Sequence, residues 1–375
     1  MQPAVKSPEN KLIGLEGLRF LTAIAILVFH YRHFTFVADK PVDLVMVRLP
    51  LYGWLQPFYD FGVFGVWVFW CISGFIFFWK YRNAISGRAI GGWQFFTLRF
   101  SRLYPLHLVM LLLVALLQSI YFNLRGCFFV YPNNGLSHFL AQLFMASEWG
   151  FTPGYSFDGP IWSVSVEVLV YLLFFLMLRA TRSWLLNAVI VAGCMAAVFS
   201  NVGGQVINCL ALFYAGGLAA IVRRAVDASP PFRRGIDVCA WLAVLVVMPL
   251  VIYVARDQLD GFDLPLFVIG TPILLFCLSR EIRLPRVVQA AIAAAGNMTY
   301  SSYLLHFPLQ LAIVLCFAAA GRPVPVYDGA LFAVYLLTVL LLSYVTFRFF
   351  EAPAQDFIRS AFRPSREPLR RASSA

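Results

Sequence analysis

Two ionisable residues stand inside the first apolar stretch of the chain. They are Arg19 and His30, in GLEGLRFLTAIAILVFH, with Glu16 three residues before the arginine. Eleven residues at 100° each make nearly three full turns, so a helix carries both on one face, about 16 Å apart along its axis. An imidazole suits general-base work near neutral pH. An ionisable group in such a stretch normally faces the protein interior or a water-filled cavity. A plainer account fits the same residues: Arg19 snorkels to one surface and His30 sits at the opposite interface beside Tyr31, Arg32 and His33.

Further residues of this kind recur along the chain. Arg99 and Arg102 form an RxxR in RFSRLYP, with Pro105 expected to open the third apolar segment. Two guanidiniums three apart at a helix end suit phosphate or carboxylate, and also simple anchoring. WSVSVE places Ser163 and Glu167 four apart on one helix face behind Trp162. GNMTYSSYLLHFPL spaces Tyr300, Tyr303 and His306 three apart, with Pro308 expected to kink or end that turn. His306 could pair with Glu167 or line a cavity. FRFFEAP, with Glu351 and Pro353, reads as helix termination.

The elements that must position these residues follow from composition. The chain has 375 residues, 61% hydrophobic and 13% charged, against roughly half apolar and a quarter charged in soluble proteins. Its apolar blocks are long enough to cross a bilayer. Ten are read: 12–34, 61–79, 103–122, 161–178, 184–200, 206–222, 236–255, 264–279, 299–320 and 329–350, with 287–296 as a short helix leading into the ninth. Backbone satisfaction in hydrocarbon makes them helices, so the fold class is an all-α membrane protein of about ten spans. No signal peptide is evident, and the first block reads as a retained span. The net charge of +11 does not imply nucleic acid, because the charges lie between the apolar blocks. Of the 29 Lys and Arg residues, Arg19 lies within a span and six fall in loops on one side: Arg32, Lys40, Arg48, Arg125, Arg256 and Arg322. The remaining 22 lie on the other side, which puts both termini in the cytoplasm. Residues 1–11 then form a cytoplasmic N-terminus, 12–355 the membrane domain, and 356–375 a basic, disordered cytoplasmic tail. The long outer loops, about 35–60 and 123–160, have a binding character. The second is rich in Gly, Pro, Asn and aromatics and includes Asn133, Asn134, Tyr155 and Asp158. The seven cysteines have no metal-ligand or disulfide spacing, and six lie in apolar blocks.

Taken in order, GLEGLRFLTAIAILVFH, FWCISGFIFF, RFSRLYP, WSVSVEVLVY, GNMTYSSYLLHFPL and FRFFEAP resemble the acyltransferase-3 family of bacterial integral-membrane O-acyltransferases, which modify surface polysaccharides. The resemblance covers about residues 11–355. It implies a multi-pass protein of the bacterial inner membrane, with acetyl-CoA or another acyl-CoA as donor and no metal. The acceptor it implies is a polysaccharide or lipid-linked oligosaccharide. It makes His30 the catalytic histidine, with Arg19 in the same central passage. Arg99 and Arg102 would hold the donor's phosphates. Glu167, Ser163, Tyr300, Tyr303 and His306 become supporting or acceptor-side residues, and Ser73 and Gly74 allow close helix approach. Two departures stand out: the family's usual Asp before GLR is Glu16, and its second acidic or amide residue after WSxSV is Val168. The soluble hydrolase-like domain of some members is not expected. The rival class is a transporter or flippase of a lipid-linked glycan, for which repeat symmetry would be the sign; none is found.

Overall fold

A computed structural model describes residues 12–255 and 261–362. The expected N-terminal segment 1–11, Arg256 and the tail from 363 onward lie outside the described residues. Apolar blocks in a medium without water leave the backbone only itself to bond with, and the described chain is accordingly almost all helix. In order these are α1 (Ile13–His30), α2 (Tyr52–Phe61), α3 (Gly65–Ser86), α4 (Gly92–Arg125), α5 (Leu136–Leu143) and α6 (Ile161–Ala180). Then follow α7 (Trp184–Phe199), α8 (Gln205–Asp227), α9 (Pro230–Leu242), α10 (Met248–Ala255) and α11 (Asp263–Leu278). The last are α12 (Arg286–Asn297), α13 (Thr299–Ala319), α14 (Gly329–Thr346) and α15 (Ala352–Ala361). A two-residue hairpin, β1 (Phe36–Val37) against β2 (Lys40–Pro41), is the one sheet among the described residues.

Among the described residues eight helical runs are long and apolar enough to cross a membrane, and the shorter apolar helices α7 and α11 coincide with the other two expected spans. The protein is thus an all-α membrane protein. Several elements outrun the apolar blocks that betray them. The second span extends from Tyr52 through a 3-10 turn to Ser86, and the third runs from Gly92 to Arg125. Pro105 therefore lies inside α4, and Arg99 and Arg102 sit in a helix interior rather than at its start. Likewise Pro308 lies inside an uninterrupted α13. A proline removes one backbone donor, and neighbouring helices in a bundle compensate for the loss.

The end of the membrane domain also differs from expectation. FRFFE forms a π-helical turn, Phe347–Glu351, that joins α14 to α15 without a break. Glu351 and Pro353 do not terminate the helix. Residues 356–361, assigned above to a disordered tail, are helical, and Arg359 donates from Nε to Ser101 Oγ on α4 at 3.2 Å.

Among the described residues two large apolar clusters fill the bundle, one around Trp70, Phe75 and Phe213 and one around Tyr31, Phe307 and Tyr335, with a small third at Val226, Phe276 and Cys277. Within the first, α3 and α8 touch backbone to backbone. A Cβ at Gly74 would overlap the Phe213 carbonyl, and one at Gly216 would overlap that of Cys71. By contrast the π-helical turn Ala243–Val247 and α10, which follow α9, present mainly exposed apolar residues, such as Leu245 and Val254, as lipid-facing helices do. Gly74→Leu is expected to destabilise the protein by roughly 1–3 kcal/mol through overpacking. Leu245→Ala should be near neutral; thermal unfolding in lipid nanodiscs compares the two.

Candidate active site

The helices surround a vestibule of about 2270 Å³, well above the few hundred to 1,000 Å³ of an ordinary small-molecule pocket. It opens beside Leu12 at the start of α1 and Phe362 after α15, and its inner lining includes Ser73, Ser163, Glu167, Tyr171, Tyr300 and Tyr303. Among the described residues nine Lys and Arg side chains line it against five carboxylates. Walls of low dielectric focus that positive excess on any anion entering.

Each sequence-selected residue is held by particular partners. On α1, Arg19 donates from Nη1 to Glu16 at 3.2 Å and from Nη2 to Thr299 Oγ1 at 3.1 Å. Glu16 in turn fits because position 296 is glycine: a Cβ there would overlap its carboxylate. On α4, Arg99 donates to the Tyr81 hydroxyl at 2.7 Å and lies 4.7 Å from the Phe77 ring centre. Arg102 is ion-paired with Glu351. Glu351 is 2% exposed and also accepts from Ser301 Oγ at 2.6 Å and Gln355 Nε2 at 3.2 Å. The residue set aside as a helix terminator is the acid that orients one arginine of the RxxR pair.

At the inner end, Ser73 Oγ and the Tyr171 hydroxyl lie 3.0 Å apart, beside the Glu167 carboxylate. Ser163 Oγ and the Tyr303 hydroxyl lie 2.7 Å apart, and Tyr303 donates to the Pro160 carbonyl at 2.7 Å. Tyr300 donates to the Leu103 carbonyl at 2.7 Å. Tyr303 is only four residues beyond the start of α13, so the contact with Pro160 means that the chain before α6 dips into the bundle. This tyrosine layer closes the vestibule.

Beyond it lie the histidines. The His306 ring centre is 6.0 Å from that of Tyr303 and 4.9 Å from that of His30, and His33 is 4.9 Å from His30. His306 therefore meets His30 rather than Glu167. The His30 Nδ1 lies 2.8 Å from the Ile26 carbonyl, one turn back on its own helix. A carbonyl oxygen only accepts, so Nδ1 carries the proton and Nε2 keeps its lone pair. Gln310 Nε2 anchors the same residue by donating to the His30 carbonyl at 2.7 Å. Arg19 lines the vestibule and His30 does not; the two are separated by the Tyr303 layer.

A family model described as an acyltransferase domain matches residues 12–348. The chain belongs to the acyltransferase-3 family. It is also similar to the acyltransferase MdmB of Streptomyces mycarofaciens, with 29% identity over 175 residues. That match covers 46% of this chain and 40% of that protein, so the chain spans less than half the length of the relative it matches. No solved structure matches.

Within this acyltransferase-3 chain the structure gathers Arg19, Glu16, Ser73, Arg99, Arg102, Ser163, Glu167, Tyr300 and Tyr303 on one vestibule, and places His30 and His306 together behind it. Sequence reading gave no role to Thr299, Tyr81, Tyr171 or Gln310, and none beyond termination to Glu351. A lone Gln310 in an apolar run is the one signal of the kind used for Arg19. A second ion-pair group went unread: Arg223, fully buried, bridges Asp227 on α8 and Asp237 on α9, the latter at 2.6 Å. Asp227 and Asp237 also take Arg233 and Arg280 at 3.4 and 3.3 Å, fixing two cations of the vestibule wall. All seven cysteines are free, and among the described residues no group of three or more His, Cys, Asp or Glu could hold a metal.

Breaking one half of a buried ion pair strands the other charge, which typically costs 3–5 kcal/mol. Arg102→Ala, which leaves the buried Glu351 carboxylate without its cation, is expected to lower stability by about that amount. Replacing both partners, as Arg102→Met with Glu351→Leu, should recover most of it. Unfolding of the three proteins in nanodiscs checks the difference.

Proposed function

We propose that this protein is an acyl-CoA-dependent O-acyltransferase of the bacterial inner membrane. In this reading it moves a short acyl group, acetyl in the simplest case, from a cytoplasmic donor to a hydroxyl of an exported polysaccharide or its lipid-linked precursor. The observation that carries the reading is the stacking of two sites. A large cationic vestibule, suited to a phosphate-rich donor, ends one tyrosine layer short of a histidine whose Nε2 lone pair is free. The excess of Lys and Arg on the vestibule side supports a cytoplasmic opening, with both termini on that side.

Arg99 and Arg102 would meet the donor's phosphates as charge-assisted partners, each already oriented by Tyr81 or Glu351. Arg19, deeper on α1, would guide the thioester toward the tyrosine layer. His30 Nε2 is equipped for two routes. As a base it takes the acceptor hydroxyl's proton while that oxygen attacks the thioester carbonyl; the C–S bond breaks and the leaving thiolate takes up the proton. As a nucleophile Nε2 first takes the acyl group, the C–S bond breaking to leave an acyl-imidazolium and a thiolate. The hydroxyl then attacks the acyl carbon, the C–N bond breaks, and the hydroxyl's proton ends on the thiolate. Glu167, Ser163, Tyr300 and Tyr303 support the path between the two sites.

His30→Ala is expected to cut transfer from radiolabelled acetyl-CoA by about 10²-fold or more, and Arg19→Ala to abolish it, with both variants still inserted in the membrane. Retained label on His30 after quenching selects the nucleophilic route. Normal acylation by His30→Ala overturns the assignment; absence of both donor binding and turnover in the native protein points instead to a glycan transporter. Donor recognition by a cationic vestibule is screened by salt, so the KM for acetyl-CoA should rise severalfold between 0.05 and 0.5 M NaCl.

A further inference from the structure

The segment that dips toward α13 before α6 carries a carboxylate that the acyl-transfer path leaves unused. Asp158 is 0% exposed, and neither of its carboxylate oxygens has a hydrogen-bond partner among the described residues. Buried polar atoms are nearly always satisfied, and an orphaned carboxylate is the costliest exception. Burial holds its carboxyl well above the usual carboxylate range, and a protonated carboxyl donates as well as accepts.

Its neighbourhood belongs to both sides of the tyrosine layer. Asp158 lies within electrostatic range of the Tyr303 and Tyr300 hydroxyls, which line the vestibule, and of Tyr131, which does not. Tyr131 presses on the next residue, since a Cβ at Gly159 would overlap its ring. The same ring centre is 6.0 Å from that of His33 and 6.3 Å from that of Tyr155. Tyr155 in turn lies 5.8 Å from Trp162 and is 42% exposed. An aromatic wall thus runs from the surface opposite the vestibule mouth down to the orphaned carboxyl and the histidine group.

Aromatic faces beside an unsatisfied carboxyl match a ligand with both a C–H face and hydroxyl groups, as a sugar ring has. A carboxyl among aromatics also suits an ammonium, but Arg32 lies within electrostatic range of Tyr131 and repels a second cation there. We propose that Asp158, with Tyr131, Tyr155 and Trp162, forms an acceptor subsite for a neutral pyranose, in which Asp158 hydrogen-bonds ring hydroxyls and presents one of them to His30. Seating the sugar requires the segment around 153–160 to move outward, because Asp158 is sealed in the present arrangement. The subsite rests on the acyltransferase reading for its role but not for its binding, and the two separate experimentally.

The test uses protein in lipid nanodiscs, free of sugar-headed detergent. Intrinsic tryptophan fluorescence is titrated with methyl hexopyranosides, and acetyl-CoA turnover is measured in parallel. Saturable quenching by at least one hexopyranoside, weakened tenfold or more in Asp158→Asn and in the surface variant Tyr155→Ala, is the expected result. With the best of these sugars as acceptor, Asp158→Asn should raise the acceptor KM tenfold while the KM for acetyl-CoA stays within twofold. Sugar binding without acetyl-CoA turnover sustains the subsite and removes the acyltransferase reading. Donor turnover with no hexopyranoside bound, or with Asp158→Asn and Tyr155→Ala binding as the native protein does, overturns the subsite and leaves that reading standing.

Discussion

A carboxylate withdrawn from water is tolerated only where a cation meets it in good geometry, and Glu351 meets Arg102 across 249 residues of sequence. That requirement reaches into the rest of the bundle. Glu351 is also bonded by Ser301 on α13 and Gln355 on α15, and Arg359, one turn beyond, is tied to Ser101 on α4. Four elements are therefore committed to one arrangement around one ion pair. The π-helical turn that delivers Glu351 belongs to this requirement: such turns inside α-helices recur at functional sites, where they re-aim side chains.

Around that fixed corner the molecule is divided by its tyrosines. On one side the lining is cationic and open; on the other are three histidines packed ring against ring, with Tyr31 and Tyr335 nearby. The division does not run along sequence. Tyr303 and His306 lie one helical turn apart on α13, yet one lines the vestibule and the other faces His30. A single turn of helix is thus the thickness of the partition.

The spans were legible because hydropathy needs only local composition, and ten apolar blocks stand where the helices are. Arg19, Glu167 and His306 were legible for the same reason, since an ionisable group within an apolar block declares itself. Their partners were not. Thr299 meets Arg19 across 280 residues, and no local pattern marks a threonine as the recipient of a guanidinium. Glu351 was visible but misread, because a proline two residues on normally announces a helix end; here the helix takes the proline at the start of α15 and continues. Pro105 and Pro308 misled in the same way. Asp158 was noted only as one polar residue in a long loop, since its burial comes from the loop's path into the bundle rather than from its neighbours in sequence.

The bond from His30 to the Ile26 carbonyl does more than settle a tautomer. It clamps the imidazole to the rigid backbone of its own helix, removing the swing of a free side chain. In the acyltransferase reading the ring is then a stationary post, and the gap across the tyrosine layer is bridged by the donor's flexible arm. Reach, and with it tolerance for longer or shorter cargo, becomes a property of the substrate measured against a fixed distance.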